Sequence, residues 1–344
     1  MCYTTFKRGV YYMKRTVVLF LSMVIIFSSL AISPVYAADE TITIDGDTYI
    51  RTFYDDFDGN KLDSKKWSRA PEWYRQGNYC KWSKEMSYLD GEGHLILGCR
   101  YDDDGDLLCG AIRSRDKFEQ CYGYFEASVK LQQVDGFWSA FWLMPNDIDL
   151  YGIPGGIDGT EIDIYEAFSV KNKSINHAVH FDGYGSNHKM IGTSVTADVY
   201  DGEYHKFSLL WDKKNYIFYI DGKETYRLTS SDVRISRVPN YLKFSLESSL
   251  GWTGKPDAED MPSGISVDYV KVYQKAVLGD IDINVKVNLT DVKKFGEFLS
   301  KEVADIEEIN ADLNCDGKVD IKDYLILRKY VAELITELPY KEDL

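Results

Sequence analysis

The feature that most restricts the fold of this chain is a long stretch, from about residue 44 to residue 274, in which short strand-like runs follow one another without a long helical period. In the run 124–131, apolar and polar residues alternate, which is typical of a strand with one buried face. The run 216–228 is interrupted by Asp221-Gly222, a dipeptide that favours a type I′ hairpin turn. Because no helices separate the runs, the sequence predicts an antiparallel β-sandwich or jelly roll.

The charge of the chain limits the partners that it can bind. Asp and Glu number 55 against 40 Lys and Arg, which gives a formal net charge of −15. Such a field repels phosphate groups, so the sequence argues against a nucleic acid partner. The 26 tyrosines supply flat apolar faces that can stack on sugar rings.

The N-terminal segment is typical of a secretion signal. The basic pair Lys14-Arg15 precedes the apolar run 16–27, and residues 35–37 resemble an A-x-A cleavage site. We therefore expect residues 1–37 to be a signal peptide and the mature chain to be secreted. A membrane anchor is the alternative, but the run is short for a span of ~20 residues, and no second run of that length follows.

The cysteines leave the redox state open. Removal of residues 1–37 takes away Cys2 and leaves an odd number, namely Cys80, Cys99, Cys109, Cys121 and Cys315. Cys99 and Cys109 flank an acidic turn and can pair across it, whereas a set of free buried thiols is the alternative. The sequence does not decide between these two states.

Three acidic residues, Glu161, Asp163 and Glu166, lie close together on a predicted strand. Each carboxylate loses solvation on burial and repels its neighbours, so the group indicates a functional site. Side chains alternate between faces with a period of two, so Glu161 and Asp163 share a face whereas Glu166 points to the other. A β-bulge near Ile164 or Tyr165 would restore the parity and place all three carboxyl groups along one face.

That spacing predicts a particular chemistry. With the bulge, Glu161 and Glu166 have Cα atoms about 13 Å apart, and side chains that lean inwards leave their carboxyl groups about 5 Å apart. Glycosidases that retain the anomeric configuration use this separation. Asp163 between them would hydrogen-bond to one Glu and keep the other protonated. Acids on an exposed strand face are the alternative.

The motif and its flanking strands resemble glycoside hydrolase family 16 in its bulged form. The resemblance rests on Glu161-Ile-Asp163-Ile-Tyr-Glu166 and on the segments 122–127, 136–145 and 267–273. It implies a concanavalin A-like, all-β jelly-roll sandwich with a concave substrate cleft, and no cofactor for catalysis.

The resemblance also implies roles for individual residues. Glu161 matches the nucleophile of the family, Asp163 the assisting acid, and Glu166 the general acid/base. His180 falls where many bulged members carry a catalytic-site histidine; a buried structural histidine is the alternative.

Four further residues are expected to line the cleft. Trp138 and Trp142 are four positions apart, so they share one face of a strand where sugar rings can stack; packing in the sandwich core is the alternative. Arg113 and Trp252 lie at positions that resemble cleft residues of the family. The segment 244–252 differs from the Asn- and Gly-rich stretch that is typical of laminarinases.

After Gln274 the strand pattern gives way to a tandem repeat with a period of 32 residues. Each copy presents oxygen-bearing side chains at loop positions 1, 3, 5, 9 and 12 and then opens an amphipathic helix, as a calcium loop requires. The first copy provides Asp280, Asp282, Asn284, Asn288 and Asp291, and the second provides Asp312, Asn314, Asp316, Asp320 and Asp323. We therefore predict two structural Ca²⁺ sites in a small all-α module; a solvated acidic tail is the alternative.

The two loops differ at the residue that makes the sharp turn. The second copy has Gly317 there, whereas the first has Val285, and a β-branched residue resists the positive φ that this position needs. We expect calcium at both loops, with tighter binding at the second.

The tandem repeat resembles a type I dockerin, the module that attaches secreted enzymes to cohesins of a cellulosome scaffold. The resemblance implies a cohesin as partner. The chain is thus predicted to comprise a signal peptide (1–37), a family 16 catalytic domain (38–277) and a dockerin (278–344).

Together these features predict a secreted, extracellular, cellulosome-bound enzyme. The predicted activity is endo-acting, retaining hydrolysis of a β-1,3 or mixed-linkage β-1,3-1,4-glucan. One alternative is the same enzyme class acting on a β-galactan or xyloglucan. The other is a non-catalytic carbohydrate-binding sandwich, against which the three acids argue because binding alone needs no paired acid and nucleophile.

Overall fold

Two β-sheets and a short run of helices make up the described part of the chain. The computed structural model describes residues 41–71, 73–74, 80–147 and 153–340. The predicted signal peptide, residues 1–37, lies outside the described residues. None of the helices in these ranges is long and apolar enough to cross a membrane.

The strands follow the chain in order, with most of the long ones after residue 94. They are β1 (Thr41–Ile44), β2 (Asp47–Asp55), β3 (Ser68–Arg69), β4 (Trp73–Tyr74), β5 (Cys80–Trp82), β6 (Ser87–Leu89), β7 (Leu95–Tyr101), β8 (Leu107–Cys109), β9 (Ala111–Arg113), β10 (Glu119–Gln120), β11 (Gly123–Lys130), β12 (Trp138–Pro145), β13 (Thr160–Ser169), β14 (Ser174–Phe181), β15 (Lys189–Thr196), β16 (His205–Trp211), β17 (Asn215–Ile220), β18 (Lys223–Thr229), β19 (Asn240–Glu247) and β20 (Ser263–Lys275). The helices are α1 (Leu289–Leu299), α2 (Glu308–Ala311) and α3 (Ile321–Val331).

The strands form a larger sheet of 12 strands and a smaller sheet of eight within the described residues. The larger sheet runs β18-β17-β16-β11-β20-β7-β8-β5-β4, with β1, β2 and β6 attached beside this path. The smaller sheet runs β15-β14-β13-β12-β19-β9-β3, with β10 paired to β19. All described strand pairs are antiparallel except β5 and β8, which run parallel. The predicted all-β sandwich is confirmed.

One hydrophobic core lies between the two sheets, and strand alternation builds it. On β11, Phe125, Ala127 and Val129 are fully buried, as the alternation of the run 124–131 predicts. The predicted hairpin joins β17 to β18, and Asp221 and Gly222 have φ angles of 50° and 75°, as a type I′ turn requires. Each sheet therefore turns a second, outer face away from this core.

The C-terminal helices enclose a separate small core. Phe295 on α1 and Leu327 on α3 are fully buried there, together with Ile281 and Leu313 from the preceding loops. Asn288 and Asp320 cap α1 and α3, and each helix start forms a reciprocal capping box. The two copies of the repeat thus adopt the same loop and helix start, as the predicted small all-α module requires.

The cysteines of the described residues are free thiols. Cys99 and Cys109 lie directly opposite each other on β7 and β8, with Sγ atoms 3.2 Å apart. Burial raises the pKa of the Cys109 thiol well above its usual value. Of the two states that the sequence left open, the structure shows the set of free thiols.

Candidate active site

The predicted β-bulge is present on β13. Towards β14, Asp163 pairs with Ala178 and Glu166 pairs with Asn176, so β13 carries one residue more than its partner over this interval. Towards β12, the register shifts at the same point and leaves Ile164 between two paired residues. The bulge prediction is therefore confirmed.

A buried histidine on β14 supports the bulge. The extra residue of a bulge leaves its backbone groups outside the regular ladder. The carbonyl of Ile164 lies 2.6 Å from Nδ1 of His177, and Nε2 of His177 lies 2.9 Å from the Thr225 hydroxyl. Burial lowers the pKa of His177 to about 4, so the ring is neutral at ordinary pH and serves as a structural hydrogen-bonding group.

The bulge sends the apolar residues of β13 inwards and its acids outwards. Glu161, Asp163 and Glu166 line one cavity on the outer face of the smaller sheet. A regular bulge with one extra residue predicts that Ile162 and either Ile164 or Tyr165 point into the core, but both Ile164 and Tyr165 are fully buried there. That expectation was wrong because the bulge turns two consecutive residues inwards rather than one.

The three acids are buried in the floor of this cleft. Glu161, Asp163 and Glu166 are only 5%, 3% and 5% exposed, so the alternative of acids on an exposed strand face is wrong. Burying three carboxyl groups side by side costs free energy that the fold alone does not require. Their arrangement is therefore that of a site.

Each Glu is held by a polar side chain from β14 or the loop that follows it. The Tyr184 hydroxyl donates a hydrogen bond to Oε2 of Glu161. The Asn176 side chain donates to Oε2 of Glu166 at 2.6 Å. These bonds fix two carboxyl groups that face the same cavity.

His180 lies beside the acids, where the sequence placed it. Its Nε2 is 3.4 Å from Oδ2 of Asp163, and its Nδ1 is 3.0 Å from Nε2 of His188. The rings of His180 and His188 are nearly parallel, with centroids 5.2 Å apart. One carboxylate oxygen each from Glu161 and Asp163 and a ring nitrogen of His180 lie within 4.8 Å of one another.

Trp138 and Trp142 line the cavity of the three acids, and both stay outside the sandwich core. The alternative of core packing for the two rings is therefore wrong. The Trp142 indole donates to the Ser245 hydroxyl at 3.1 Å, and the Lys243 ammonium lies 3.7 Å from the Trp142 ring centroid. Trp142 thus shares the cleft floor with a cation.

Trp252 and Arg113 were also expected to line the cleft, but neither is among the residues that line the cavity of the three acids. Trp252 is 42% exposed and packs edge-to-face on Trp138, with ring centroids 4.6 Å apart. Arg113 on β9 stands directly opposite Lys243 on β19, which in turn stands opposite Trp142 on β12. A cross-strand row therefore runs from Arg113 to Asp163, with cations at one end and a carboxylate at the other.

The sequence reasoning missed several cleft residues. The most notable is Glu247, which is 2% exposed and lines the cavity together with Glu166. On β19, Tyr241, Lys243, Ser245 and Glu247 alternate with the core residues Leu242, Phe244 and Leu246. This alternation was a usable signal, because a strand with a core face on one side must present its other residues to the cleft.

The carboxyl groups of the first predicted calcium loop converge. Oxygens of Asp280, Asp282 and Asp291 lie within 4.8 Å of one another. Burial, reinforced by the charges of Asp291 and Asp282, raises the pKa of Asp280 to about 6. Val285 adopts φ 64°, the left-handed conformation that Gly317 takes with φ 79° in the second loop. The donor set is hard oxygen, as a calcium ion prefers.

Backbone hydrogen bonds tie together the side chains that are predicted to bind calcium in the second loop. The amides of Asp316 and Gly317 donate to the Asp312 carboxylate at 3.1 and 2.9 Å. Asp320 and Asp323 close the loop, since the Asp320 amide donates to Asp323 at 2.9 Å. Asn314 donates to Asp316 at 3.1 Å.

Two family models match the chain. The model described as glycosyl hydrolases family 16 matches residues 75–271, which is more than half of the chain. The model described as dockerin type I domain matches residues 278–332.

Individual relatives agree with the first match. A glucan endo-1,3-β-glucosidase A1 of Niallia circulans is 26% identical over 64% of this chain and 37% of its own length. A keratan-sulfate endo-1,4-β-galactosidase of Sphingobacterium multivorum is 29% identical over 64% of this chain and 54% of its own length. The chain thus spans about a third to just over half of these curated relatives.

A solved structure shares the fold. The crystal structure of a non-specific endo-β-1,3(4)-glucanase from family 16 superposes with a TM-score of 0.58 at 26% identity, over 69% of this chain and 94% of that one. The bulged strand with its three acids and the matches to the two family models lead to one conclusion. The chain belongs to glycosyl hydrolases family 16 and carries a type I dockerin domain after the β-sandwich.

Proposed function

We propose that this chain is an endo-acting, retaining glycoside hydrolase that cleaves a β-1,3 or mixed-linkage β-1,3-1,4-glucan. The observation that carries the proposal is the bulge on β13, which places Glu161, Asp163 and Glu166 on one cleft floor. Paired carboxyl groups on one face are what a double displacement at an anomeric carbon requires.

The residues divide the chemistry in the following way. The Glu161 carboxylate attacks the anomeric carbon while Glu166 protonates the departing glycosidic oxygen, and a covalent glycosyl-enzyme ester forms. Glu166 then removes a proton from water, which breaks the ester and restores both groups. Asp163 and His180 assist the reaction from positions beside Glu161. The Tyr184 hydroxyl holds the Glu161 carboxylate in place through its hydrogen bond.

The choice of a glucan draws on the named relatives. The Niallia circulans enzyme and the solved family 16 structure are both named for β-1,3 or β-1,3(4) glucan cleavage. The Sphingobacterium multivorum enzyme is named for a galactan linkage, which keeps the β-galactan as second candidate.

The dockerin supports a proposal for the cellular setting. A dockerin binds a cohesin, so we propose an extracellular enzyme that is attached to a cellulosome scaffold. Asp280, Asp282, Asn284, Asn288 and Asp291 would hold one Ca²⁺, and Asp312, Asn314, Asp316, Asp320 and Asp323 a second. When bound, the ions supply folding stability to the helical module, since the converging carboxylates repel one another without them.

Release of reducing sugar from lichenan, laminarin, xyloglucan, agarose and galactan tests the proposal. We expect lichenan or laminarin to be cleaved fastest, with oligosaccharides rather than glucose as first products. Glu161→Gln serves as the matched control, because it preserves shape and removes the attacking charge. Cleavage of galactan alone would make a β-galactan, and not a glucan, the substrate. Activity of Glu161→Gln equal to that of wild type would contradict the assignment of Glu161 as the nucleophile.

A further inference from the structure

A groove of about 540 Å³ opens on the outer face of the larger sheet. Its floor residues Tyr124 and Glu126 on β11 alternate with Phe125 and Ala127, which point into the core. The three acids lie on the outer face of the other sheet. The groove and the catalytic cleft therefore occupy opposite sides of the sandwich.

Four tyrosines contribute to the lining of this groove, which we call the tyrosine groove. Tyr124, Tyr219, Tyr269 and Tyr273 all line it. The rings of Tyr124 and Tyr219 meet edge-to-face with centroids 6.3 Å apart. Tyr273 is buried, whereas the half-buried rings of Tyr124, Tyr219 and Tyr269 offer apolar faces beside polar edges, which suits a ligand with C–H faces and hydroxyl edges.

A half-buried carboxylate fixes the rings. Glu126 accepts hydrogen bonds from the hydroxyls of Tyr124 at 3.0 Å and Tyr269 at 2.9 Å, and from Ser208 at 3.3 Å. Tyr219, Ser208, Glu126 and Lys271 stand in one cross-strand row over β17, β16, β11 and β20. The row is thus a rigid platform, which reduces the entropy that a ligand would lose on binding.

The charges of the groove balance. Asp45 and Glu126 carry two negative charges, and Lys206 and Lys271 carry two positive ones. A lining without net charge complements a neutral polyhydroxylated ligand better than it complements a phosphate-bearing surface or an acidic peptide. The volume falls within the usual range of small-ligand sites, about 300–1,000 Å³.

We propose that the tyrosine groove binds a segment of the same neutral β-linked polysaccharide that the cleft hydrolyses. This proposal rests on the proposed function. Because groove and cleft face opposite ways, a chain held in the groove is not the segment under attack. The groove holds the enzyme on the polymer while the cleft acts on another segment.

Native electrophoresis in gels that contain each of the five polysaccharides tests the proposal, with the full chain and Ca²⁺ present. Glu161→Gln is the parent, so that the polymer stays intact. Adding Tyr219→Ala should weaken retardation about two- to tenfold, as loss of one aromatic contact predicts. Tyr219→Phe, which keeps the ring, and Tyr88→Ala, which removes an exposed tyrosine elsewhere, should leave it unchanged.

Soluble oligosaccharides separate the two sites. In the active enzyme, Tyr219→Ala should leave kcat/KM on short oligosaccharides within about twofold of wild type, because the groove and the three acids lie on opposite faces of the sandwich. That result also shows that the variant folds. If wild type cleaves none of the five polymers, the proposed function fails, while the difference in retardation between the parent and Tyr219→Ala still reports on the groove. Equal retardation of the parent and Tyr219→Ala, or no retardation by any polymer, would contradict polysaccharide binding in the tyrosine groove.

Discussion

Glu161 illustrates how the site depends on single side chains that are distant in sequence. Its carboxylate accepts a hydrogen bond from Tyr184, which lies 23 residues later in the loop after β14. Local patterns reveal which strand face a residue occupies, but they do not reveal which loop side chain will reach it. The acids were therefore predictable from their spacing, whereas Tyr184, His188 and Asn176 were not.

The Tyr184 hydroxyl is expected to matter for turnover. A hydrogen bond to a charged group contributes about 1.5–3 kcal/mol, so Tyr184→Phe should lower kcat/KM about 10- to 100-fold. Steady-state kinetics on the best polysaccharide checks this, with Tyr88→Phe as the matched control. A Tyr184→Phe enzyme with wild-type kinetics would show that the hydroxyl does not serve the nucleophile.

At the scale of elements, the bulge on β13 shows what a strand pattern can predict. The bulge followed from a conflict between the acids at i, i+2 and i+5 and the period of two. The residues of the bulge that face the core could not be predicted in the same way. The burial of both Ile164 and Tyr165 depends on space offered by the opposite sheet. Likewise, the hydrogen bond from His177 to Ile164 needs the register of β13 against β14, which no local pattern fixes.

The buried His177 gives the sandwich a defined pH dependence. Its pKa is lowered to about 4 from 6.5 by burial, so between these values the unfolded chain binds more protons than the folded one. Stability should therefore rise as pH increases from about 4 to 6.5 and then level off.

Denaturant unfolding followed by tryptophan fluorescence measures this effect, since all seven tryptophans precede residue 253 and report only on the sandwich. His177→Gln should lose that part of the pH slope, and an unchanged slope would show that His177 does not titrate as the structure implies.

The calcium loops lead to an expectation at the same scale. Val285 holds a left-handed φ that costs an L-residue about 1–2 kcal/mol, partly offset by the entropy that a glycine would lose. Val285→Gly should therefore tighten calcium binding at the first loop about two- to fivefold. Calorimetric titration checks this, with Lys286→Gly in the same loop as control. Weaker binding by Val285→Gly would mean that the strain is not released.

At the scale of the whole molecule, the sandwich core and the core of the helical module are separate, which predicts two separate stabilities. Removing calcium should melt α1 and α3, because metal binding and folding of such a loop are linked. Circular dichroism at 222 nm should report that loss on addition of EDTA, while hydrolysis of a soluble polysaccharide continues at its original rate. Loss of hydrolysis together with the helical signal would contradict the separation of the two parts.

The central claim is that the bulge on β13 presents Glu161 and Glu166 for a double displacement at the anomeric carbon. Proton NMR of the hydrolysis in its first minutes tests this most directly, because it reads the anomeric configuration of the product before mutarotation. The structure predicts that the β-anomer appears first and the α-anomer follows by mutarotation. An α-anomer formed first would mean inversion, and would contradict the roles assigned to the two glutamates.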